Sequence, residues 1–186
     1  MTDMNNSPEF ILSLFDCISK LKSIRRTGWV ESSVRDPESI ADHSFGVVFL
    51  AAVLADLRGL DVAEVVRMAI LHDLPEAVTG DLTPREKQTK IKEVEKIEEE
   101  AIRRLFKDAP REVYEKYVSA WRKFSENSTP EARLVKLVDK LEMGLQACKY
   151  MEERLDSRLI EIYDSAKNYL EEDRELLEVL KRMLKR

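Results

Sequence analysis

The run Val62-Ala-Glu-Val-Val-Arg-Met-Ala-Ile-Leu71, followed at once by His72-Asp-Leu-Pro-Glu-Ala-Val-Thr-Gly-Asp81, constrains this chain more than any other stretch. Val62, Val65, Val66, Met68, Ala69, Ile70 and Leu71 leave a helix almost no polar face, so that helix belongs at the centre of a fold. It delivers His72, Asp73, Glu76 and Asp81 to a place where burial is expected. Burying polar groups costs free energy unless each finds a partner, and one cation can partner several together. Helical spacing lets His72 and Glu76, and Asp73 and Glu76, face one side. Pro75 lacks an N–H and disfavours helical geometry at Leu74, which predicts a kink or restart just past the His-Asp pair. Gly80-Asp81 then reads as a turn that brings a further carboxylate back to the same place. An isolated His-Asp pair also has an ordinary reading, a hydrogen-bonded core histidine.

The rest of the chain repeats the helical pattern. With only 5 Gly and 6 Pro, 36% charged and 44% hydrophobic residues in 186, long amphipathic helices are expected rather than a turn-rich β protein. Phe10, Ile11, Leu14, Phe15, Ile18 and Leu21 recur at helical spacing. A basic turn, Arg25-Arg26-Thr-Gly28-Trp29, follows with an aromatic at its tip. Its arginines complement a helix C-terminus, or else form a phosphate clamp, because a guanidinium fork matches phosphate oxygens; Trp29 would then offer a flat face to a base or sugar.

Ser39-x-x-Asp42 resembles a capping box opening a second helix through Phe45, Val48, Phe49, Ala52, Val53 and Leu57 to Gly59. His43 lies in its first turns, where an exposed or capping histidine is the plain alternative. Asp61-x-x-Glu64 caps the central helix. Thr83-Pro84-x-Glu86 opens a Lys/Glu-rich helix reaching about Phe106, whose charges mark a solvated face. Pro110 restarts the chain into a helix with Val113, Tyr114, Tyr117, Val118, Trp121 and Phe124, a stripe read as core. Ser128-Thr129-Pro130-Glu131 opens a helix with Leu134, Val138, Leu141, Leu145 and Cys148 on one stripe and Val135, Asp139, Glu142 and Gln146 on the next, so Asp139 lies near the edge of a buried face. Residues 155–186 add one or two amphipathic helices. The expectation is a single all-α domain over 1–186, with core motifs in 10–150 and C-terminal helices in 155–186.

A net charge of −5 with a pI near 5.3 offers no basic stripe for a nucleic-acid backbone, so no polynucleotide partner is expected. The polar N-terminus lacks the apolar core of a signal peptide, and no uncharged apolar stretch reaches the roughly 18 residues of a membrane span. Cys17 and Cys148 are far apart and fit no zinc spacing, which suits reduced thiols and a cytoplasmic protein.

The chain has only two histidines, and each adjoins an aspartate. His43, His72-Asp73 and a distant Asp139, together with Arg26-Thr-Gly-Trp29, Pro37-Glu-Ser-Ile-Ala-Asp-His43, His72-Asp-Leu-Pro-Glu76-Ala-Val-Thr-Gly-Asp81-Leu-Thr-Pro84 and Glu131-Ala-Arg-Leu-Val-Lys-Leu-Val-Asp139-Lys-Leu-Glu142, resemble the HD superfamily of metal-dependent phosphohydrolases, in particular the 5'-deoxynucleotidase branch. The resemblance implies an HD-domain helical bundle that hydrolyses (2'-deoxy)ribonucleoside 5'-monophosphates. The alternative is a relative acting on a phosphodiester, a nucleoside triphosphate or a non-nucleotide phosphate. By resemblance, His43, His72, Asp73 and Asp139 match metal ligands, Glu76 the proton-transfer acid, and Asp81 a carboxylate near the water and the sugar. Arg26, or alternatively Arg25, matches the phosphate-binding arginine, and Trp29 the aromatic near the deoxyribose. One divalent ion (Mn, Co, Fe, Ni or Zn) suits two imidazoles and two carboxylates, and the family implies a homodimer. One departure stands out: where relatives often carry another arginine, this chain reads Val30-Glu31-Ser32-Ser33.

Overall fold

The computed structural model describes residues 8–81 and 93–185 in full and the backbone of 91–92. Ten α-helices are present among them: α1 (Pro8–Ser23), α2 (Thr27–Glu31), α3 (Ile40–Arg58), α4 (Val62–Leu71), α5 (Glu76–Thr79), α6 (Ile91–Phe106), α7 (Arg111–Glu126), α8 (Pro130–Glu153), α9 (Ser157–Tyr169) and α10 (Arg174–Met183), with a 3-10 turn at Leu170–Glu172. The described residues form no strand; Arg25 and Ser39 make an isolated antiparallel bridge. The all-α expectation holds. The capping box at Thr83-Pro84-x-Glu86 lies outside the described residues.

Local signals set the helix starts. The Ser39 side chain accepts from the Asp42 N–H while Asp42 answers the Ser39 N–H, a complete capping box for α3. Asp61 caps α4 through the Glu64 N–H, and Thr129 caps α8 through the Ala132 N–H with Pro130 behind it. α4 stops at Leu71, and the chain turns through His72–Pro75 before restarting as α5, as Pro75 requires.

α8 runs through both apolar clusters and ties them together. On one side Leu134, Val135 and Val138 join Val47, Ala51 and Ala55 of α3, Val65, Met68 and Leu71 of α4, and Trp121 of α7. On the other, Leu137, Leu141, Ala147 and Cys148 meet Leu159 and Tyr163 of α9 and Leu176 and Leu180 of α10. α3 is long and apolar enough by composition to cross a membrane, yet its His43 face is packed on α4 and α8.

Two sequence expectations change. On α3 the buried residues are Ile40, His43, Val47, Ala51 and Ala55, whereas Phe45, Phe49, Val53 and Leu57 form an exposed stripe. Periodicity identified an apolar stripe there but not which of two stripes faces inward. Trp29 does not stand at the tip of a turn: α2 carries it inward, where it is 1% exposed and packs edge-on against Tyr150.

Candidate active site

The turn after α4 explains the position of His72. Its Nδ1 lies 2.7 Å from the Ala69 carbonyl, one of the oxygens a helix end leaves without an internal partner. A carbonyl only accepts, so Nδ1 carries a proton and Nε2 is turned to the other side. His43 is buried completely on α3. Its Nδ1 lies 2.5 Å from Glu142 Oε2, which again directs Nε2 to the other side.

The two Nε2 atoms are 3.5 Å apart. Asp73 Oδ2 lies 3.3 Å from Nε2 of His72 and 3.6 Å from Nε2 of His43. Asp139 joins from α8, with Oδ1 3.2 Å from His43 Nε2. Donors sharing one transition ion at ~2.0–2.2 Å each would stand about 3 Å apart in adjacent positions, so this set has the chemistry and nearly the spacing of a divalent site. His43, His72 and Asp73 are all buried and could hold such an ion.

Positive charge sits directly beside these carboxylates. Arg26 Nη1 is 3.2 Å from both Asp73 Oδ2 and Asp81 Oδ1 and 3.9 Å from Glu76 Oε2. Burial opposes its charge, but Asp73, Asp81, Glu76 and Asp139 outweigh burial and hold the guanidinium firmly protonated. Arg25 faces elsewhere, donating to the Pro37 carbonyl at 2.9 Å. Of the two arginines, the fold brings Arg26 to the site.

Asp81 is bound on both oxygens, to Arg26 and to the Thr27 N–H at the start of α2. The Thr27 hydroxyl also donates to the Asp81 carbonyl at 2.7 Å. Asp81 therefore clips the Arg26 turn to the loop that holds His72 and Asp73. Glu76, only 2% exposed, sits at the first position of α5 with its N–H on the Asp73 carbonyl at 3.0 Å.

Protonation follows from these neighbours. Burial pushes the Asp73 carboxyl up, but His72, Arg26 and His43 more than reverse that and hold it well below the usual range. Asp139 is likewise held down, by Lys140 and His43 against burial. Burial and Arg26 oppose a charged His43, yet its bonds to Asp139 and Glu142 win and push it up to about 10; a divalent ion would take the place of the Nε2 proton between the same groups.

Three residues to which the sequence motifs gave no role of their own also belong to the site. Lys140 Nζ lies 2.9 Å from Asp139 Oδ2, on the oxygen turned away from His43. Glu142 holds the far edge of His43. Glu38 stands close behind with Glu142 and His43, and accepts the Trp29 indole N–H at 2.9 Å. Trp29 thus reaches the site through Glu38 rather than by an exposed face. The signal for Glu142 was its position one turn beyond Asp139, and for Lys140 its adjacency to Asp139.

Comparison with known proteins adds independent information. A family model described as HD domain matches residues 18–178. The chain is 35% identical over 156 residues to "5'-deoxynucleotidase HDDC2" of Homo sapiens, covering 83% of this chain and 76% of that protein. It is 36% identical over 146 residues to the protein of the same name in Dictyostelium discoideum, covering 75% and 76%. The crystal structure of the PH0347 protein from Pyrococcus horikoshii OT3 superposes with a TM-score of 0.72 at 37% identity, covering 94% of this chain and 98% of that one.

Proposed function

From the premise that this chain belongs to the HD domain family, we propose that it is a metal-dependent 5'-deoxynucleotidase, hydrolysing 2'-deoxyribonucleoside 5'-monophosphates to nucleoside and phosphate. The observation that carries the reading is the meeting of two imidazole nitrogens and the carboxylates of Asp73 and Asp139 within 3.2–3.6 Å contacts, with Arg26 alongside. The relatives named 5'-deoxynucleotidase narrow the substrate class.

His43, His72, Asp73 and Asp139 would hold one divalent ion, drawn from Mn, Co, Fe, Ni and Zn. Bound there, it would polarise phosphoryl oxygens and make a water more acidic. Arg26 binds the phosphate, since its planar fork matches two phosphate oxygens and its orientation is fixed by Asp73 and Asp81. Glu76 is outside the four donors and buried next to them; it accepts a proton from the attacking water and returns one to the departing 5'-oxygen. Asp81 holds the Arg26 turn, and by resemblance we assign it a place near the water and the sugar. Lys140 adds a second cation beside Asp139.

Two features of the cellular form belong to the same proposal. The exposed stripe Phe45, Phe49, Val53 and Leu57 on α3, with Ile11, Leu12, Phe15 and Ile18 exposed on the adjoining α1, supports a homodimer, because contiguous exposed apolar surface marks association sites. The free thiols of Cys17 and Cys148 suit the cytoplasm.

The function is tested by phosphate release from nucleoside mono-, di- and triphosphates in deoxy and ribo forms, with each divalent ion in turn. Deoxyribonucleoside monophosphates are expected to have the highest kcat/KM. Preference for a di- or triphosphate would overturn the assignment of substrate.

A further inference from the structure

One helix grips the His43 ring on both edges. Asp139 Oδ1 approaches Nε2 at 3.2 Å, and three residues later on α8 Glu142 Oε2 approaches Nδ1 at 2.5 Å. Residues three apart on a helix are neighbours on its surface, so this two-sided grip follows from the spacing Asp139-x-x-Glu142. The contact needs room on α3. Gly46, one turn beyond His43, supplies it: a Cβ there would stand 2.8 Å from Glu142 Oε1 and 3.0 Å from its Cγ. At those distances a side chain at position 46 would require the Glu142 side chain to shift from where it meets Nδ1.

Glu38 closes the back of the arrangement, held by the Trp29 indole. The Glu38 N–H in turn donates to the Tyr150 hydroxyl at 2.9 Å. The Glu142 carboxylate therefore sits between a fully buried imidazole and a fixed polar wall.

We propose that Glu142 is the positioning residue for His43, accepting from Nδ1 so that Nε2 faces Asp73, His72 and Asp139, and that Gly46 is the clearance that allows it. A carboxylate on the far nitrogen of a ligating histidine fixes its tautomer and orientation and raises its basicity. The proposal rests on the reading of His43 as a metal-holding residue.

Cobalt(II) alone is a sufficient probe, its dissociation constant read by chelator competition and its environment by the visible spectrum. Glu142→Ala is expected to weaken cobalt binding by about 10- to 100-fold. Glu142→Gln, which keeps the shape and an acceptor but no charge, should fall between. Gly46→Ala should also weaken cobalt, by displacing the Glu142 carboxylate, but should add nothing in a Glu142→Ala background. Circular dichroism and thermal midpoints of the metal-free variants check that each is folded, and Glu142→Gln serves if Glu142→Ala is not. Unchanged cobalt affinity and spectrum in the folded Glu142 variants would overturn the proposal, as would fully additive losses in the double variant. A wild-type protein that takes up no cobalt would overturn the metal-holding reading itself, and this proposal with it.

Discussion

At the scale of single residues, Glu76 is the sharpest case because it separates catalyst from ligand. It is buried, 3.9 Å from the Arg26 guanidinium, and is not needed to complete the four donors. Glu76→Ala is therefore expected to keep its metal and its fold while kcat falls on the order of 10² to 10⁴, the usual worth of general acid–base catalysis. Arg26→Ala should instead chiefly raise KM with metal retained, since it removes the proposed phosphate contact. Steady-state phosphate release with elemental analysis reads both. Metal lost from Glu76→Ala would make Glu76 a ligand, and near-normal turnover would move proton transfer to Asp81. His72, Asp73 and Glu76 were legible because they follow an apolar run that has to be buried. Glu142 was not, because a glutamate on a long charged helix looks like many others until the facing helix is known. Trp29 was misread for a related reason: glycine and two arginines before it suggest an exposed turn, and nothing local tells that Tyr150 of α8 packs on it and that α9 lies against α2.

At the scale of elements, caps and breakers were the most readable signals. Ser39, Asp61, Thr129 and Pro75 act where short-range chemistry alone decides the outcome. The inward face of α3 was not readable, since Phe45, Phe49, Val53 and Leu57 are as apolar as the residues that pack inward. A long-range tie joins the end of α3 to the start of α10: Arg58 forks onto Asp173 at 2.7 and 3.2 Å, and Asp173 also caps α10 through the Leu176 N–H at 3.1 Å. Asp173→Ala should cost about 1–2 kcal/mol, a lost cap plus a partly buried ion pair. Burial pushes the Asp173 carboxyl up, but Arg58 and the Leu176 N–H outweigh it and hold it below its ordinary value. A depressed carboxylate contributes stability in full above its unfolded pKa, about 4, and loses it as the pH falls through the lower folded value. Thermal midpoints of wild type and Asp173→Asn should therefore differ by a constant amount from pH 7 to 5 and converge below about pH 4. A difference that persists unchanged into strong acid would contradict the pairing.

For the whole molecule, composition and helical periodicity sufficed for an all-α bundle, and the order of motifs along 10–150 sufficed for the family. Which faces remain exposed depends on how helices distant in sequence pack together, and that is where the apolar α3 stripe emerged. If the stripe is a dimer interface, Phe49→Glu should convert a dimer to a folded monomer by light scattering, with the thermal midpoint lowered; a wild-type monomer would dismiss the interface. The central claim, that one ion held by His43, His72, Asp73 and Asp139 drives hydrolysis of deoxynucleoside monophosphates, is tested most directly by elemental analysis and deoxynucleotide turnover on the same preparations of wild type, His72→Ala and Asp73→Ala. About one divalent transition ion per wild-type chain is expected, with loss of both ion and turnover in the two variants. Undiminished metal and intact turnover in those variants would contradict it.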